Sequence, residues 1–123
     1  MKAALYQQLV EEFREPNTFF LSPARVGDFF GFEVHEIAAR AHVHRNIPAT
    51  RPHAQQLQTY LQDMLRVLAA AIEITEESKR AAFLVRNEPL RPFGYKTAIR
   101  LVEDGRVEDV VAYLESLSGG AAG

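Results

Sequence analysis

The residues best able to act on another molecule fall in two stretches of the chain. In the first, no acidic residue occurs between Glu36 and Asp63, while Arg40, His42, His44, Arg45, Arg51 and His53 all lie there. In a chain of net charge -2 this is a local basic face. Exposed Lys and Arg attract nucleic-acid phosphates regardless of base sequence. Arg and Asn are also the side chains that make bidentate contacts to guanine and adenine edges. Phosphate and base contact is therefore one reading of Arg40, His44, Arg45, Asn46 and Arg51; a solvated surface lacking carboxylates is the other. The second stretch, Phe83 to Leu117, begins with a run of Asn, Pro and Gly that carries Asn87, Leu90, Arg91, Phe93, Tyr95, Lys96 and Arg100. Its cations can pair with carboxylates, and aromatic side chains are common anchors at interfaces. The competing reading makes Phe93-Gly94 a simple chain reversal and Tyr95 a core residue.

Reactive chemistry is poorly provided for. Gly94-Tyr95-Lys96-Thr97 hints at a phosphate-binding loop, but that motif needs glycine directly before the lysine and another five residues earlier. Residue 95 is Tyr, so the motif fails. His42, His44 and His53 could be gathered around a metal, yet structural zinc sites use four well-placed ligands, usually with cysteine. The chain has no cysteine, which also removes disulfides and thiol nucleophiles. Ser22, Ser78, Ser116 and Ser118 have no convincing His and Asp partners. A segment rich in shape and charge but poor in reactive groups points to binding, with no enzyme activity and no cofactor.

These residues must be positioned by helices. At 123 residues, 47% hydrophobic and 24% charged, the chain can bury an ordinary core as one domain or one domain with an appendage. Lys2 to Arg14 sets Leu5, Leu9 and Phe13, with Tyr6 and Val10, on one stripe, and Pro16 bars continuation. Ser22-Pro23 is an N-cap with proline at the first helical position, and that helix ends at Gly31. A third helix spans about Val34 to Ala41, with Val34, Ile37, Ala38 and Ala41 inward. A long helix follows Pro52 and reaches about Ile74, its stripe formed by Leu57, Tyr60, Leu61, Met64, Leu65, Leu68, Ala71 and Ile72. Thr75 is expected to cap a helix through Val85 with Glu76 and Glu77 in its first turn. Thr97 to Asp104 and Val107 to Leu117 complete an all-α chain.

Glu33 to Ile47, EVHEIAARAHVHRNI, has the form of a short helix, a turn at His42 and a second helix start at His44-Arg45-Asn46. That arrangement matches a helix-turn-helix, whose second helix enters the major groove by its N-terminal residues. His42 sits where positive φ favours glycine, and Pro48 and Pro52 limit the second helix to about one turn. No apolar run approaches the roughly 20 residues that span a bilayer, and no signal peptide is evident. A cytoplasmic location is the expectation.

The chain resembles the Xre/MbcA/ParS family of antitoxins, which pair with RES-domain toxins. Phe83, Asn87-Glu88-Pro89-Leu90, Phe93-Gly94-Tyr95-Lys96-Thr97-Ala98, Leu101-Val102, Gly105-Arg106 and Val110 to Leu114 are similar to the family's toxin-binding domain. Leu21-Ser22-Pro23-Ala24-Arg25, Ile37-Ala38 and Val43-His44-Arg45-Asn46 resemble its Xre-like helix-turn-helix. The resemblance implies three segments: 1–20 as N-terminal helix and linker, 21–74 as the helix-turn-helix region with the long helix, and 75–123 as the toxin-binding domain with its tail. It also implies neutralisation of an NAD-consuming RES-domain toxin by contact that blocks the active-site cleft. Asn87, Leu90, Arg91, Phe93, Tyr95, Lys96, Arg100, Leu117, Ser118, Gly119 and Gly120 would then form the inhibitory surface. Operator DNA is the second partner implied, and a homodimer is expected because operators are commonly palindromic. The alternative from another class is a helix-turn-helix transcriptional regulator with no toxin partner.

Overall fold

The computed structural model describes residues 2–118. Eight α-helices form there: α1 (Lys2–Phe13), α2 (Pro23–Phe30), α3 (Val34–Arg40), α4 (Ile47–Thr50), α5 (Gln55–Thr75), α6 (Ser78–Asn87), α7 (Ala98–Glu103) and α8 (Val107–Ser118). A 3₁₀ turn, Arg91–Phe93, joins α6 to α7. The architecture is all-α, as the periodicity predicts. Gly119 and Gly120, with the rest of the tail, lie outside the described residues. No helix among those described is long and apolar enough to cross a membrane.

Local chemistry accounts for most helix ends. Ser22 accepts a hydrogen bond from the Arg25 backbone N–H, Pro23 opens α2, and Gly31 closes it at φ 83°. Thr97 caps α7 in the same way, accepting from the Arg100 N–H. One boundary differs from expectation. The cap of α6 is Glu77, whose carboxylate accepts from the N–H groups of Lys79 and Arg80. Thr75 instead ends α5, its hydroxyl donating to the carbonyl of Ala71 and Glu76 turning left-handed at φ 62°. A carboxylate offers two acceptor oxygens and favours the helix dipole, so it displaces the hydroxyl as cap.

The long helix α5 is the axis of the molecule. It packs against α1, α6, α7 and α8, and its stripe from Leu57 to Ala71 is buried as expected. Val67, Ala69 and Ala70, off that stripe, are buried too, because helices surround α5 on more than one side. Each large apolar side chain so buried contributes about 1.5–3 kcal/mol relative to exposure. A single cluster runs from Leu9 and Phe13 of α1 through α5 to Val110 and Leu114 of α8. The three segments read from the sequence thus share one core. Val34, expected inward, is 39% exposed at the first turn of α3.

Candidate functional site

The second binding stretch folds into a tight hairpin. Leu90 is its root: it is only 4% exposed, so it is a core residue and not part of a contact surface. Its carbonyl accepts from the N–H groups of both Phe93 (3.0 Å) and Tyr95 (2.9 Å), and its own N–H donates to the Lys96 carbonyl (3.0 Å). Gly94 and Tyr95 occupy the tip at φ 66° and 67°. Two consecutive positive-φ residues characterise the primed turn that matches strand twist, where Asn and Gly are the usual occupants. A tyrosine there is strained by on the order of 1–3 kcal/mol. It is also 63% exposed. The alternative in which Tyr95 belongs to the core is thereby set aside.

Charge surrounds the tip. Lys96 and Arg100 both bind the Asp104 carboxylate, at 2.9 and 3.1 Å. The hydrogen bond from Lys96, then that from Arg100, holds the Asp104 carboxyl below its ordinary range. Arg91 is exposed and makes no ion pair among the described residues. Phe93 turns the other way: its ring meets Tyr113 edge-on at 5.6 Å, and the Arg106 guanidinium stands 5.1 Å from its centroid. Phe93 therefore seats the hairpin on α8. Beside it lies a groove of about 300 Å³, lined by Leu84, Pro89, Arg91, Leu114 and Leu117 among others. Leu117 is half-exposed at its rim, and the Ser118 hydroxyl donates to the Glu115 carbonyl. Asn87 closes α6, its amide donating to the Phe83 carbonyl. Tyr95, Arg91, Lys96, Arg100, Asn87 and Leu117 are thus exposed, while Leu90 and Phe93 anchor the hairpin to the core and to α8.

The basic stretch is divided by the fold. Arg40 leaves the surface to pair with Glu103 at 3.1 Å and to lie 4.5 Å from the Phe32 ring centroid. His42 takes positive φ, 61°, as its turn position requires. Its ring Nε2 donates to the Glu103 carbonyl at 3.0 Å, locking the α3–α4 turn onto α7. His44, Arg45, Asn46 and Arg51 are exposed. Asn46 precedes α4 and its N–H donates to His44 Nδ1. Helix α4 is a single turn, with Pro48 buried near its start and Arg51 at φ -140° ending it ahead of Pro52. A residue before proline is driven out of helical conformation, so no helix extends outward from this turn.

Two features had no counterpart in the sequence reading. Gln58 of α5 is buried and clamps the backbone of Leu21 at both N–H and C=O, each at 2.9 Å, and the Pro52 carbonyl at 2.8 Å. Phe19 stands 95% exposed in the α1–α2 loop. The Phe-Phe pair following Pro16-Asn17 was the available signal for the latter. Histidines 42, 44 and 53 face three different partners, and among the described residues no group of three or more His, Cys, Asp or Glu could hold a metal. No family model, curated protein or solved structure matches the chain.

Proposed function

We propose that the protein is an antitoxin of the Xre/MbcA/ParS type that neutralises a RES-domain, NAD-consuming toxin by direct contact. The hairpin tip, the start of α7 and the end of α8 make that contact. One observation carries the reading: Tyr95 is held exposed, at positive φ, on a hairpin whose root is buried and whose flanks are cationic. A strained backbone persists where the surroundings over-determine it, and such positions cluster at functional sites. An exposed aromatic with Arg91 and Arg100 beside it suits a partner surface bearing an apolar pocket rimmed by carboxylates.

A homodimer completes the proposal; operator contact, which would fall to His44, Arg45, Asn46 and Arg51, is left out of it for want of a recognition helix. The one-turn α4 supplies no helix long enough to enter a major groove. That disfavours the alternative of a regulator with no toxin partner. The test is co-expression with a RES-domain protein encoded beside this one, reading growth, cellular NAD and co-purification. Rescue with NAD preserved, lost on Arg91→Glu or Tyr95→Ala, is the expected result. A toxic neighbour that is neither bound nor rescued would return the reading to a regulator.

A further inference from the structure

Helices α2 and α6 pack side by side and leave a groove of about 430 Å³ at their junction. Phe29, Phe30 and Ala82 give it apolar walls, and Phe83 stands at its edge, 70% exposed. The groove is firmly built. Arg86 of α6 donates to the carbonyls of Phe30 and Gly31, at 3.1 and 2.9 Å, and its guanidinium lies 4.5 Å from the Phe32 ring centroid. Glu77 caps the other end of α6. Phe83 is thus exposed on a fixed helix face, beside an apolar slot that its own ring does not fill.

A single exposed apolar side chain needs no explanation by itself. Here the same face carries both halves of a contact, a ring and an apolar groove beside it. Its charges come in halves as well. Asp28 of α2 and Lys79 of α6 both line the groove, and neither makes an ion pair among the described residues. The third lining charge, Arg86, is spent on backbone carbonyls. With their caps the two helices carry Arg25, Lys79, Arg80 and Arg86 against Asp28, Glu77 and Glu88, so two copies of this face meet with little net repulsion. A two-fold axis sets a patch against itself, so that residue i meets j and j meets i.

We infer that the α2–α6 face is a self-association surface whose occupant is a second copy of this chain. Phe83 of each copy enters the groove of the other, and Asp28 of each meets Lys79 of the other. The occupant is a second copy because this patch supplies ring, groove and both signs of charge. A different protein would have to bring its own ring and its own opposite charges in the same arrangement. The inference rests on the homodimer proposed above and assigns its face, and it requires neither toxin nor DNA.

Analytical ultracentrifugation of the full chain alone, from about 1 to 100 μM, tests it. The wild type should sediment as a dimer at the upper end. Phe83→Asp should weaken that dimer roughly 10-fold or more, as loss of an aromatic anchor does, with helical circular dichroism unchanged. Asp28→Lys and Lys79→Asp should each weaken it by roughly 10-fold, since either one sets like charges against each other at both ends of the contact. Mixed in equal amounts, these two variants should dimerise again, because every like pair becomes an opposite one. A purely structural role for either residue would not be repaired by mixing. A dimer indifferent to Phe83→Asp, or a mixture no better than its components, overturns this face and leaves the homodimer standing. A wild type that stays monomeric overturns both. If Phe83→Asp then also abolishes co-purification with the RES-domain neighbour, the face belongs to that partner.

Discussion

Tyr95 poses the sharpest conflict between what the fold prefers and what it contains. Its φ of 67° suits glycine or asparagine, and its ring is largely in water, so removing it relieves strain and loses little packing. Tyr95→Gly should therefore raise stability by about 1 kcal/mol, read as a small rise in melting temperature, while weakening partner binding by 10-fold or more on the ~2 kcal/mol scale of an aromatic anchor. A variant both less stable and fully active would mean that the ring serves the fold. His42 occupies a similar φ of 61° but is employed internally, its imidazole holding the Glu103 carbonyl. The sequence marked a turn at His42 through the helix-turn-helix form and a chain reversal at Phe93-Gly94, beside Tyr95. It could not assign one inward and the other outward, because that depends on whether α7 lies within reach of the ring.

Elements were legible where their signals are local. Caps at Ser22 and Gly31, the stripe of α5 and the short α4 follow from hydrogen bonds and side-chain spacing within a few residues. Close approaches between elements were not. Gly27 in α2 shows no sign of its importance in the sequence, yet its carbonyl accepts from Phe32 N–H at 2.7 Å and an added Cβ would stand 2.6 Å from the Phe32 carbonyl oxygen. Backbone cannot yield as a flexible side chain can. Gly27→Ala should cost about 1–3 kcal/mol by overpacking despite alanine's better helix propensity, and urea denaturation would measure it. No loss would indicate that the α2–α3 corner can open without consequence. The Arg40–Glu103 pair is another product of element packing: the same packing that brings α3 to α7 takes one cation from the basic stretch.

At the scale of the whole molecule, α5 makes one cooperative unit of segments that the sequence divides by character. Gln58 is its most exacting polar member, satisfying three backbone groups from two loops. Gln58→Leu would leave these buried groups unpaired, at about 1–3 kcal/mol each before relaxation. The melting transition should fall sharply yet stay single, monitored by circular dichroism of the full chain; two separated transitions would indicate independently folding halves. What the sequence determined by itself was the set of helices, the turn geometry at His42 and the absence of a long recognition helix. Each rests on interactions closed within a turn or two of chain. Only the tertiary structure decided that Leu90 is buried, that Arg40 is paired and that Phe19 stands exposed on the α1–α2 loop. Those outcomes depend on residues tens of positions apart, such as Phe20 with His53 and Arg40 with Glu103, whose meeting is set by how helices pack around α5 and not by spacing along the chain.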